Sequence, residues 1–177
     1  MIIPIVKTPN PVLFQTAKKV LKFDLKLKRL IRDMGDTLKA ARHPEGVGLA
    51  APQVGISLRL FVTKPTQQSK IHAYLNPEIM TVEEIPPSDD EESDKSTLEG
   101  CLSVDRIWSP ITRPLKVQMK YFDAEKKQHT EWFEGFKATI IQHEIDHLNG
   151  ILFTNRSLEQ NSPVYEEHNG KLEEIKI

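Results

Sequence analysis

The stretch Gly135–Gly150, GFKATIIQHEIDHLNG, decides the reading of this 177-residue chain. It predicts an α-helix from about Gly135 to Asn149, stopped by Gly150, a residue suited to the left-handed backbone just past a helix C-terminus. The apolar positions fall on two stripes at helical spacing: Ala138, Ile141, Ile145 and Leu148 on one, Phe136, Ile140, His143 and His147 on the other. A helix apolar on two sides is central to its fold, with neighbours on both flanks. Both histidines then face the interior, where an imidazole needs a partner. Residues at i and i+4 differ by about 40° around the helix axis, so His143 and His147 project side by side and can share one divalent ion. Glu144 is turned by about 100° from His143, which puts it beside such an ion, where a carboxylate can take a proton from water. Two core histidines bonded to backbone are the structural alternative.

A catalytic site of this type takes a third protein ligand. No histidine follows at the HExxHxxGxxH spacing, since the chain continues Leu148-Asn149-Gly150-Ile151-Leu152-Phe153. Glu159, Glu166 and Glu167 lie downstream, in a Ser/Gln/Asn/Pro-rich tail without strong periodicity. The better candidate is upstream: Cys101, the single cysteine, in Leu98-Glu99-Gly100-Cys101-Leu102-Ser103. A lone thiol forms no internal disulfide, in keeping with a reducing compartment. It is either an inert core residue or a strong, soft metal ligand.

Outward from these segments, Leu115–Phe122 and Gln128–Phe133 bracket Asp123-Ala124-Glu125-Lys126-Lys127, which predicts a hairpin. His43–Gly55 holds three glycines and two prolines and cannot be a regular helix. Leu58–Thr63 reads as a strand, and Ile71–Leu75 and Ile79–Val82 as two short strands around Asn76-Pro77. Residues 85–97, IPPSDDEESDKST, read as a solvated loop; a calcium site there lacks the spaced ligands and turning glycine. From Asp24, a suitable N-cap, to about Ala41, the apolar residues Leu27, Leu30, Ile31, Met34, Leu38 and Ala41 recur at helical spacing. The lysines and arginines between them read as a solvated face.

The length suits a single domain over residues 1–177, with the acidic loop as an insertion and a tail at about 157–177. Formal charge is −1, so no whole-molecule field favours nucleic acid or a membrane surface, and no direct role with either is expected. No apolar run is long enough for a membrane span. The opening MIIPIVKTPNP lacks the basic segment and long apolar core of a signal peptide, so the expected location is cytoplasmic.

Three segments together resemble the signature motifs of the peptide deformylase family: Gly46-Val47-Gly48-Leu49-Ala50-Ala51-Pro52-Gln53, Glu99-Gly100-Cys101-Leu102-Ser103, and Gln142-His143-Glu144-Ile145-Asp146-His147-Leu148. They stand in the family's order at compatible spacings, and the similarity spans roughly residues 4–156. The resemblance implies an α+β fold, with small antiparallel or mixed sheets packed around the central HExxH helix and an N-terminal amphipathic helix. It implies a hydrolase that removes the formyl group from the N-terminal formyl-methionine of nascent polypeptides, releasing formate, with a transient ribosome contact conceivable. It implies Cys101, His143 and His147 as ligands of one divalent ion, ferrous iron by preference, with zinc, nickel or cobalt as alternatives. Glu144 is then general base and acid, while the Gln53 amide and the Leu102 N–H stabilise the oxyanion. Val47, Gly48, Leu49, Gly100, Thr139 and Ile140 would line the substrate cleft, with His143 among its walls. Glu99 would support the ligands from behind, and Asp146 would pair with Arg113.

Departures from the family pattern bear on cleft shape. After EGCLS the chain has Val104-Asp105-Arg106 in place of a hydrophobic residue and proline, and Lys137-Ala138 precedes the helix motif. The tail carries Pro163 and Asn169-Gly170 and reads as closing in a strand after a turn, which argues against docking through a C-terminal helix. Two rival functions are a zincin-type endopeptidase using a downstream glutamate in place of Cys101, and a non-catalytic homologue that binds formylated N-termini.

Overall fold

The computed structural model describes residues 1–42, 44–83 and 96–176. An α-helix α1 (Leu25–Ala40) is followed by a short strand β1 (Gly48–Ala50), which runs directly into a 3-10 turn, Ala51–Val54. Strands β2 (Leu60–Thr63), β3 (His72–Glu83), β4 (Ser96–Cys101), β5 (Val104–Thr112), β6 (Lys116–Phe122) and β7 (Gln128–Glu134) come next. Helices α2 (Phe136–Leu148) and α3 (Phe153–Glu159) then lead to a last hairpin, β8 (Val164–His168) and β9 (Lys171–Ile175). The strands form a five-stranded sheet, β1-β2-β3-β6-β7, and a four-stranded one, β4-β5-β8-β9. Every pairing within them is antiparallel, so the α+β class holds and neither sheet is mixed.

The α2 helix earns its central place through the first stripe. Ala138, Ile141, Ile145 and Leu148 are all buried, packed with Phe61, Tyr74, Val117, Met119 and Phe133 of the five-stranded sheet. Its C-terminus closes as expected: Gly150 has φ +74°, and a Cβ there would stand 2.7 Å from the Phe14 carbonyl carbon. Only glycine meets both conditions. Helix α1 is capped by Asp24, whose carboxylate accepts from the Leu27 N–H at 3.0 Å, and it buries Leu27, Met34 and Leu38 against a second core with Leu49, Leu60 and Val62.

Several expectations change. The two short strands around Asn76-Pro77 are one strand, β3, with a register shift between Leu75 and Glu78. Pro77 has no N–H to give the ladder, and Asn76 adopts φ 50° while its side chain bonds the Val20 N–H and C=O at 2.7 and 2.9 Å. The kink is absorbed without ending the strand. The 85–97 loop falls mostly outside the described residues, and its last two members, Ser96 and Thr97, already belong to β4. The expected strand from Leu58 begins at Leu60, Leu58 itself making an isolated bridge with Lys18. The tail does turn at Asn169-Gly170, both with positive φ, and closes as β9. Helix α3 and strand β5 were not foreseen.

Candidate metal centre and catalytic cleft

The β4–β5 hairpin and α2 deliver the chemistry to one place. The 3.6-residue repeat sets His143 and His147 edge to face, with ring centroids 5.0 Å apart, and β4 ends on Cys101 beside them. One ligand atom from each of Cys101, His143 and His147 lies within 4.8 Å of the others. Cys101 Sγ stands 3.2 Å from His147 Nε2, and both residues are buried. Burial alone would raise the Cys101 thiol, but the imidazoles of His147 and His143 outweigh it and bring it well below its ordinary range. Burial likewise disfavours a charged His143, yet Cys101 and Glu99 hold its pKa well above the usual one. A soft thiolate and two imidazoles packed this tightly form a donor set that fits a divalent cation.

Glu144 flanks this triad. Its side chain is buried, its Oε2 has no hydrogen-bond partner among the described residues, and burial pushes its pKa up to about 7 against the pull of the two histidines. Its carboxylate occupies the space over Gly48, where a Cβ would fall 2.2 Å from Glu144 Oε1. Gly48 is therefore a steric requirement of the glutamate. Across the cleft, the Gln53 amide nitrogen points at Cys101 Sγ (3.4 Å) and Ser103 Oγ (3.3 Å), fixed because Gln53 Oε1 accepts from the Ala50 N–H at 2.8 Å. The N-terminal segment ties these pieces together, with Val6 N–H bonded to the Gln53 carbonyl and Thr8 N–H to that of Ser103.

Behind this triad runs a buried ionic chain. His143 Nδ1 lies 2.9 Å from Glu99 Oε2, which leaves the other ring nitrogen to face Cys101. Arg113 grips both Glu99 oxygens, at 2.6 and 3.0 Å, and reaches Asp146 at 2.9 Å. Arg156 of α3 completes the chain with bonds of 2.7 and 3.2 Å to Asp146. Burial opposes ionisation of Glu99, but His143 and Arg113 prevail and hold its pKa down at about 2.

The family model for polypeptide deformylase matches residues 2–162. The chain belongs to the peptide deformylase family. Its members are metal-dependent hydrolases that remove the formyl group from the N-formylmethionine of nascent polypeptides. The chain is 42% identical over 150 residues to a peptide deformylase of Natranaerobius thermophilus, covering 85% of this chain and 88% of that one. It is 42% identical to the Dictyoglomus turgidum enzyme over 162 residues, 92% of this chain and 97% of its relative. Among solved structures, the peptide deformylase of Thermotoga maritima superposes with a TM-score of 0.76 at 39% identity, covering 88% of this chain and 97% of the other. That of Legionella pneumophila gives 0.78 at 39% identity, with 88% and 86% covered.

Above the Cys101–His143–His147 triad this deformylase has a cavity of about 270 Å³. Val47, Gly48, Gln53, Gly100, Leu102, Thr139, Ile140, His143 and Glu144 all border it. Leu49 does not: strand alternation turns its side chain to the opposite face of β1, where it is fully buried against α1. Sequence reasoning missed Leu98, Trp108 and Phe136 at the rim. Phe136 carried a signal, since it shares the stripe of Ile140 and His143, but at the first turn of α2 it is 53% exposed and forms a lip. No helix among the described residues is long and apolar enough to cross a membrane.

Proposed function

We propose that Cys101, His143 and His147 hold one divalent ion, ferrous iron in the cell with zinc, nickel or cobalt able to replace it, and that the cavity above them deformylates formyl-methionyl peptides and nascent chains. The observation that carries this is the convergence of the three donors within 4.8 Å beside a buried carboxylate oxygen without a partner among the described residues. When bound, the ion supplies Lewis acidity, acidifying water and polarising the formyl oxygen. Glu144 Oε2 takes the proton of the attacking water, and the same oxygen returns it to the departing amine. The Gln53 amide and the Leu102 N–H face the formyl oxygen as it gains negative charge. Gln53 arrives there already oriented by its bond to Ala50. Among the described residues, strand β1 pairs with β2 on one side only, so its other edge suits an extended peptide laid beside Val47 and Gly48 as an added strand. Thr139, Ile140 and Phe136 then enclose the methionine side chain, with Gly100 under the peptide.

The same reading takes residues 1–177 as one catalytic domain, supported by the pairing of β8 with β5 in a shared sheet. It places the enzyme in the cytoplasm, where formylated chains emerge. Residues 164–175 form a hairpin, so a transient ribosome contact would be made without a helix from that segment.

The test is release of formate from formyl-Met-Ala-Ser by protein purified anaerobically, with metal content measured in parallel. One ion per chain and stoichiometric formate are expected. Cleavage of internal peptide bonds without formate would indicate an endopeptidase instead. Binding without turnover would indicate a non-catalytic homologue.

A further inference from the structure

A further cavity, of about 170 Å³, opens where the first turns of α2 cross the five-stranded sheet. Ile140 and Ile141 enter it from the helix. They belong to different stripes, so the cavity sits at the seam between the two flanks of α2. Ile140 is the one residue it has in common with the catalytic cavity among the described residues, and a single side chain separates the two spaces. The facing wall is aromatic. Tyr74 of β3, Tyr121 of β6 and Phe133 of β7 pack edge to face there, with the Tyr74 ring centroid 4.8 Å from that of Tyr121 and 6.0 Å from that of Phe133. Burial raises the pKa of both tyrosines, helped at Tyr121 by the Glu131 carboxylate, so the wall carries no charge. The other titratable groups bordering the cavity, His72, Glu131 and Lys137, are all exposed and stand at its mouth. Among the described residues, Glu131 has only His129 as an ion-pair partner, at 3.6 Å, and Lys137 has no carboxylate within 4.0 Å. Lys137 is one of the departures from the family pattern. It stands in the first turn of α2, where no acidic side chain and no cap offsets its charge.

We propose that this cavity binds a free α-amino acid with an apolar side chain, and that its occupancy reaches the catalytic cavity through Ile140. A cavity of roughly 150 Å³ holds a benzene-sized molecule, so this one has room for a four-carbon side chain between Ile140, Ile141 and Phe133. At the mouth the two charges of the ligand meet opposite charges of the protein, its ammonium at Glu131 and its carboxylate at Lys137. A simple anion would face Glu131 as well as Lys137, and a simple cation would face Lys137 as well as Glu131. A zwitterion alone is matched at both. Packed against the back of Ile140, the bound side chain restricts that wall, so methionine entering from the other side loses less freedom in ordering it. The amino acid therefore lowers KM for formyl-methionyl peptides and leaves kcat unchanged. The site is independent of the deformylase reading; its effect on KM rests on that reading.

The experiment titrates the metal-loaded enzyme with free L-leucine by calorimetry, then with isocaproic acid, which lacks the ammonium, and isoamylamine, which lacks the carboxylate. Leucine should bind saturably at one per chain. Each truncated compound should bind at least about fivefold more weakly, the upper weight of an exposed ion pair. Lys137→Met and Glu131→Gln, both at exposed positions, should weaken leucine to the same extent. Neither residue borders the catalytic cavity, so formate release without leucine should stay within about twofold of wild type. With formyl-Met-Ala-Ser as substrate, saturating leucine should lower the wild-type KM about fivefold, the low end of coupling between two sites. In Lys137→Met the same effect should need at least about fivefold more leucine. A rise in KM that persists in both variants would place leucine in the catalytic cavity and overturn the proposal. So would absence of saturable binding, equal affinity for the truncated compounds, or a KM indifferent to bound leucine. Each of these leaves the deformylase reading standing. Absence of formate from wild type without leucine would bring down that reading and the KM effect with it, while the calorimetry still decides the site.

Discussion

The two flanks of α2 are built from the same helical repeat and held by opposite means. On the sheet side, Ala138, Ile141, Ile145 and Leu148 present only hydrocarbon, and size and shape decide what is tolerated there. On the cleft side, His143 and His147 meet Cys101, and the fit depends on which atoms donate and accept. The difference teaches that one helix separates stability from chemistry by about half a turn. Damage to the first flank should unfold the protein with its donor set intact, and damage to the second should silence it with the fold intact.

The sharpest way to break that contrast is Glu144→Ala, which should lower kcat by about 10²–10⁴-fold, the range for a lost general acid–base. Its melting temperature should not fall, because no hydrogen bond to Oε2 is forfeited. Gly48→Ala should come next: the new Cβ cannot share space with Glu144 Oε1, so formate release should drop at least tenfold, with a far smaller change in urea midpoint. On the opposite flank, Ile141→Ala should cost about 2–5 kcal/mol in chemical denaturation, as cavities in packed cores do, while the surviving folded fraction keeps its metal stoichiometry. Arg113→Met tests the boundary. It removes the buried cation between Glu99 and Asp146, leaving Glu99 only His143 and Asp146 only Arg156 among the described residues, and should cost about 3–5 kcal/mol and also loosen the proposed metal binding through His143. The smallest effect is expected at Thr139→Val, a shift of about two- to threefold in KM for formyl-methionyl peptides with kcat unchanged, since a pocket wall changes and no reacting group does.

Much of this division was legible because it is local. Helix α2, both its stripes, its stop at Gly150, the Asp24 cap of α1 and the β6–β7 hairpin all follow from patterns within a few residues. The motif resemblance located Cys101, Gln53 and the glycine segment, and the Arg113–Asp146 pair was expected. What escaped depended on distant pairing or lacked a start signal. Strand β5 has no clean alternation, because Trp108 borders the cleft while Ile107 packs on the core with Leu13 and Phe153, and the partner strand β8 is more than fifty residues away. Helix α3 begins after Leu152, which has no polar side chain to cap it. Arg156 therefore gave no hint that it would close the ionic chain behind the histidines. Leu49 misled because strand alternation, once β1 is in place, turns it away from the cleft that its neighbour Gly48 borders.

Cobalt reconstitution tests most directly whether Cys101 is the donor that completes the proposed metal site. Wild type loaded with cobalt(II) should bind one ion per chain and show an intense near-ultraviolet thiolate-to-cobalt charge-transfer band, with Glu144→Ala showing the same band. Cys101→Ala should lose the band and bind cobalt far more weakly, while keeping the native circular dichroism. A Cys101→Ala protein that retains full cobalt occupancy and full formate release would contradict the account.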